Sequence, residues 1–359
     1  MTLVLPRPLL GACALAAATL VLPAAAGAAT RGDCGAKDPQ LSIAGCTLVI
    51  DDRRTDANMR VRALGARGIA RQNIGDLKGA HADLSAVLAA LPRERFILHV
   101  RAVVNFGLSQ YDAAIADFTA ALAIEPQNIA SLTGRAVAYN NKKDYDRAIM
   151  DASLAINLKP DDPLPFAARA RAFKGKDDLV HALEDYDAAI RLNPKNASYY
   201  RERGDLRERS GDHDGAIADA TATIALKPDD WMAHFDRARA YHKRANGSIT
   251  EDLRKALADY DVAVRLKPED LFLPWVLSER GHAHHALGEF DAAIADFTLQ
   301  LGVDSTAIEA YVDRAKSYAA KGDIKHAVAD YDVALKEWPA DAQVLAWRAE
   351  AAAKLAQTP

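Results

Sequence analysis

The only cluster of histidines in this chain is RGHAHHALG, three of its ten. On a helix, His282 and His285 stand one turn apart and share a face. Two imidazoles at that spacing could begin a metal site, but the site needs a third and a fourth ligand, and the sequence designates none. His242 and His326 are the nearest candidates from adjoining segments. The expectation is therefore no metal and no cofactor. A small-ligand or metal-binding protein centred on His282 and His285 is the second reading. Nucleophile motifs, Gly-rich phosphate loops and Cys/His zinc spacings do not occur in the sequence. The acids of GKDD and GDHDG fall where helices start, and there Asp ordinarily caps. No catalytic residue is assigned, and the chain is read as a non-enzyme.

A second chemistry-bearing pattern runs the length of the chain. Arginine and aspartate recur as Arg67 and Asp83, Arg101 and Asp117, Arg135 and Asp151, Arg169 and Asp185, Arg203 and Asp219, Arg237 and Asp259, Arg280 and Asp296, and Arg314 and Asp330. In seven of these eight pairs the separation is 16 residues. Gly75, Gly211, Gly288 and Gly322 stand at the midpoint of four of them. Residues equidistant from the turn of an antiparallel helical hairpin lie side by side, so each Arg faces its Asp. The guanidinium fork matches a carboxylate in shape and charge. A ladder of arginines could hold anionic ligands, but a matched Asp at every rung favours internal pairing. Arg348 continues the arginine series at the C-terminal end.

The elements that carry these residues repeat. DAAIADFT occurs at 112–119 and again at 291–298. Pro92, Pro126, Pro160, Pro194 and Pro228 are each 34 apart, with an Ala twelve and an Asp nine residues before each. The series continues through Pro268, Ser305 and Pro339 after insertions of six and three residues. Within a unit, SLTGRAVAYNNK reads as one amphipathic helix and DYDRAIMDASLAINLKP as a second, closed by its Pro. A fixed period of this length is the signature of a solenoid.

The unit resembles the tetratricopeptide repeat, a 34-residue helix–turn–helix. Leu132, Ala136, Tyr139, Ala148, Ala155 and Pro160 take the places of that pattern, while Ala152 replaces its aromatic. Phe118, Tyr186, Tyr260, Phe297 and Tyr331 keep the aromatic elsewhere. The residue before the small one departs from the pattern: it is Arg, not Leu, every time. The resemblance implies an all-α fold, a right-handed α-α superhelix of about eight helix–turn–helix repeats with helical caps. It implies first helices on the concave side, where partner proteins or extended peptides bind. On that geometry the groove is lined by Arg171, Lys174, Arg201, Arg209, Arg239, His242, Lys243, His282, His285 and Lys316, interrupted by Asp205, Glu208 and Glu309. Such a basic wall can steer an acidic partner. The expected function is a non-catalytic scaffold for protein–protein interaction.

Residues 1–29 have the layout of a secretory signal peptide: Arg7, an apolar core from Leu9 to Leu22, Pro23, then small residues. The expected location is the bacterial periplasm or the exterior, with no membrane span left after cleavage. Residues 30–58 are read as an N-terminal helical cap and 59–359 as the solenoid, ending in a capping helix. Cys34 and Cys46 would remain after cleavage, an even pair suited to a disulfide in an oxidising compartment. A net charge of −4 is mild and gives no sign of nucleic-acid binding. Asn246-Gly247 marks a turn within the six-residue insertion, with Ser248 and Glu251 as a capping box. Leu271, Phe272, Leu273 and Trp275 form an apolar group expected to pack between units.

Overall fold

The computed structural model describes residues 29–245, 250–266 and 271–356, and among them every regular element is helical. The chain divides into two compact units, Met1–Asp178 and Leu179–Pro359. The signal-like stretch up to residue 28 and the Asn246-Gly247-Ser248 turn lie outside the described residues.

The first unit holds α1 (Pro39–Asp51), α2 (Ala57–Asn73), α3 (Leu77–Ala90), α4 (Arg95–Gly107), α5 (Tyr111–Ile124), α6 (Ile129–Asn141), α7 (Tyr145–Leu158) and α8 (Pro163–Gly175). From α2 onward these alternate as first and second helices of successive hairpins. Each hairpin turns at a residue with positive φ: Gly75, Ser109 (60°) and Lys143 (62°). That left-handed conformation suits glycine and strains Ser and Lys. An Asp follows the turn in two hairpins. Asp76 accepts from the Gly79 N–H and Asp144 from the Arg147 N–H, which caps α3 and α7. Small residues then let the helices close. Ala102, Ala114 and Ala138 surround the ring of Phe118, and all four are sealed from solvent.

At the front of the unit, Cys34 and Cys46 form a disulfide. It ties the lead-in, including a single 3-10 turn at Arg31–Asp33, to the middle of α1. Gly45 makes this possible: a Cβ there would lie 2.6 Å from the Cys34 nitrogen and 2.8 Å from the Thr30 carbonyl oxygen. The chain crosses where only glycine leaves room.

The second unit holds α9 (Leu179–Leu192), α10 (Ala197–Arg209), α11 (His213–Leu226), α12 (Trp231–Ala245), α13 (Thr250–Arg265), α14 (Leu273–Ala286), α15 (Phe290–Val303), α16 (Ile308–Lys321), α17 (Ile324–Glu337) and α18 (Ala342–Ala356). Gly211, Gly288 and Gly322 supply its left-handed turns. Around the six-residue insertion, α12 and α13 run to 15 and 16 residues, against 13 and 14 for α10 and α11. Phe235, Tyr260, Val276 and Ala283 make the core at that point. Phe272 and Trp275 stack toward it, against Trp231 (centroids 5.6 Å apart) and Phe235 (4.2 Å), while Leu271 remains 72% exposed. The expected packing group is thus split between core and surface.

Among the described residues, no helix is long and apolar enough to cross a membrane.

Candidate functional site

Seven ladder arginines each grip their aspartate through two hydrogen bonds. In the first unit Arg67 donates to Asp83, Arg101 to Asp117 and Arg135 to Asp151, at 2.6–2.9 Å. In the second unit the pairs are Arg203 with Asp219, Arg237 with Asp259, Arg280 with Asp296 and Arg314 with Asp330, at 2.5–3.0 Å. The carboxylates are buried, 1–7% exposed. The hydrogen bonds that Arg67, Arg135, Arg237 and Arg314 donate to Asp83, Asp151, Asp259 and Asp330 hold these arginines above the usual guanidinium pKa.

The third guanidinium nitrogen reaches the preceding hairpin, which the sequence reading missed. Arg101 donates to Ser85, Arg135 to Thr119 and Arg169 to Ser153 in the first unit. Arg203 donates to Asp187, Arg237 to Thr221, Arg280 to Asp261 and Arg314 to Thr298 in the second, while Arg348, with no ladder Asp of its own, donates from its Nε to Asp332. The acceptor always stands two residues after the repeating Asp, so the signal was present in the spacing. A further set was also missed. Lys142 pairs with Asp112, Lys176 with Asp146, Arg244 with Asp214 and Lys321 with Asp291, each 30 residues apart, at 2.5–2.9 Å on the exposed turn side. Asp185 is buried in α9.

The groove residues are placed as follows. Arg171 and Lys174 lie on α8 in the first unit, and the others lie on first helices of the second. There the expected basic wall becomes a strip of mixed charge. Arg239 donates to Glu208 at 2.6 and 2.9 Å, and Lys243 reaches the same carboxylate at 2.7 Å. His242 stands 3.9 Å from Glu279. His282 meets Asp313 at 2.8 Å, and Lys316 meets it at 3.0 Å. Arg201 lies against the Met232 sulfur at 3.8 Å. The correction has a simple origin. The residue one before the ladder Arg is Glu202, Asp236, Glu279 or Asp313, and three of these four acids contact groove cations, in addition to the Asp205, Glu208 and Glu309 expected to interrupt them.

This strip perturbs its ionisable groups. Burial, with Glu208 and Asp205 nearby, raises Asp236 to about 6 against the pull of Arg239 and Arg201. Burial lowers His242 and His285 below the ordinary imidazole value. Burial also opposes charge on His282, but the hydrogen bond and charge of Asp313 outweigh it and raise this imidazole. His282 and His285 do not converge, since His285 turns to the Ser317 hydroxyl at 2.9 Å. His326 stacks on Tyr318, and His284 bonds to Glu289 at 2.7 Å. Among the described residues, no group of three or more His, Cys, Asp or Glu is placed to hold a metal.

A tetratricopeptide repeat family model matches residues 99–163, 167–222 and 205–270. In those segments the chain is similar to tetratricopeptide repeats. Two solved structures share the fold. A tetratricopeptide repeat protein from Parabacteroides merdae ATCC 43184 is 18% identical, with a TM-score of 0.50 over 72% of this chain and 98% of its own. The C-terminal part of a repeat protein from Cytophaga hutchinsonii is 16% identical, with a TM-score of 0.55 over 68% of this chain and 97% of its own. No curated protein matches the chain significantly. Tetratricopeptide repeat proteins bind other proteins or peptides, and their repeats act typically as non-catalytic scaffolds.

Proposed function

We propose that this chain is an exported, non-catalytic scaffold that holds a partner protein or an extended peptide along the first helices of its second unit. The observation that carries this is the strip on α10, α12, α14 and α16. Charged side chains there are paired across neighbouring first helices, which presents a fixed, polar surface rather than mobile ends. Trp275, 37% exposed beside Arg239, adds an aromatic contact of the kind that anchors interfaces. The partner is met by alternating charge, so complementarity of pattern replaces simple attraction of an acidic segment. Export rests on the N-terminal sequence layout and on the Cys34–Cys46 disulfide, which suits an oxidising compartment such as the periplasm or the exterior.

A photo-crosslinking amino acid placed at Ser278 or Glu309, on first helices, should capture a partner in the exported fraction. The same group at Leu299, 57% exposed on the second helix α15, should not. Capture from Leu299 alone would sink the reading. Intact mass of the exported protein should lack the first 26 to 29 residues; a retained Met1 would count against export.

A further inference from the structure

The strip changes character at its C-terminal end. In α10, α12 and α14, the place five after the ladder Arg is Glu208, His242 or His285, and in α16 it is Ala319. The next place is Arg209, Lys243 or Ala286, and in α16 it is Ala320. The acid that precedes the ladder Arg in α10, α12, α14 and α16 is replaced in α18 by Trp347. Where His282 meets Asp313, the corresponding Lys316 ammonium lies 4.4 Å from the centre of the Trp347 ring. Removing long and charged side chains on one wall, and placing an aromatic on the other, opens a cavity of about 250 Å³. Ala319, Ala320, Ala351 and Ile324 form apolar lining, and the Tyr331 and Trp347 rings lie nearly parallel, 26° apart. The rim carries Lys316, Lys354 and Glu350.

The geometry points to this cavity as an anchor pocket for one large apolar side chain of the bound partner, aromatic by preference. It deepens the scaffold reading, on which it rests, by naming what the partner must carry. The volume falls below the ~300–1,000 Å³ that holds a whole drug-sized ligand, so a single side chain fits it better. The rim lysines are paired, Lys316 with Asp313 and Lys354 with Glu350, so the rim selects no charge, and the Tyr331 and Trp347 rings favour an aromatic occupant. At the first of these positions α10, α12 and α14 carry the larger polar Glu208, His242 and His285, so the partner's register is fixed here.

The test uses the full chain labelled with 5-fluorotryptophan, whose Trp347 signal is assigned by substitution. The probes are acetylated, amidated Glu-Trp-Glu and Glu-Ala-Glu peptides, so neither offers a terminal carboxylate. The tryptophan peptide should move the Trp347 signal saturably and bind about tenfold or more tightly than the alanine peptide, as burial of a large side chain requires. Ala320→Arg adds a side chain at an exposed position of the wall and should weaken binding by a similar factor. Trp347→Phe, followed through Tyr331, should retain part of it. Equal binding of the two peptides, binding untouched by Ala320→Arg, or movement of Trp275 alone would overturn the pocket. Each of those results leaves the scaffold reading standing, because that is decided by crosslinking from Ser278 and Glu309.

Discussion

Arg203 on α10 joins α9 and α11 of the second unit: its fork holds Asp219 at 2.5 and 3.0 Å, and its remaining nitrogen holds Asp187 at 2.5 Å. Asp219 is 1% exposed and also accepts from Arg207 at 2.9 Å. The arginine is thus a cross-link within and between repeats. A buried charge left without its partner typically costs ~3–5 kcal/mol. Asp219→Ala removes the buried carboxylate that Arg203 and Arg207 share and should approach that range. Arg203→Ala leaves Asp219 with Arg207, so it should cost less. The double variant should lose less than the sum, by roughly 1–3 kcal/mol. Denaturant melts of the four proteins measure this, and simple additivity would show that the residues do not act as a pair.

The exposed set on the turn side should behave oppositely. Lys142 and Lys176 are 43% and 45% exposed, and their partners Asp112 and Asp146 are 82% and 84% exposed. Exposed pairs contribute ~0–1 kcal/mol. Lys142→Ala and Lys176→Ala should each change stability by less than that limit, and the loss should shrink further in high salt. A salt-independent loss above it would mean that these pairs are structural.

Left-handed turn positions offer a gain. Ser109 and Lys143 adopt φ near 60° where Gly75 and Gly211 stand in sister hairpins. Ser109→Gly and Lys143→Gly should stabilise the first unit by up to ~1 kcal/mol through relief of that strain. Gly211→Ala should destabilise the second unit by a similar amount. Thermal melts decide it, and a loss in the Gly variants would contradict the strain.

Asp236 should make the second unit weaker at neutral pH. Its folded pKa is raised to about 6 from 3.8, so between these values the native state binds more protons than the unfolded state. Stability from this group is therefore full below about pH 4 and is lost as pH rises through about 6. Asp236→Asn should raise stability at pH 7–8, by no more than about 3 kcal/mol, and flatten the profile between pH 4 and 6. His282, also raised, acts in the same direction nearer neutrality: its contribution is full below the ordinary imidazole value and fades as pH rises through its folded pKa. An unchanged profile in Asp236→Asn would refute the assignment.

The disulfide is read directly. Reduction should add two mass units and destabilise the front of the first unit by roughly 2–4 kcal/mol. Two free thiols in freshly isolated exported protein would exclude it.

The repeating unit was legible in the sequence because it is local. A period of 34 places Ala, Asp and Pro at fixed points of a hairpin, and the hairpin turn brings residues 16 apart together regardless of the rest of the chain. Gly75 and Gly211 marked that turn; Ser109 and Lys143 hold the same conformation without a glycine to announce it. The charge of the first-helix strip was different. It depends on contacts such as Arg239 with Glu208 and His282 with Asp313, 31 residues apart on separate helices. A list of residues on one face cannot supply these, since the neighbour of a side chain is set by how one hairpin leans on the next. The cavity beside Trp347 arose in the same way. Ala319 and Trp347 are ordinary letters in a helical pattern, and only packing of α16, α17 and α18 turns the missing bulk of one and the ring of the other into a shared space.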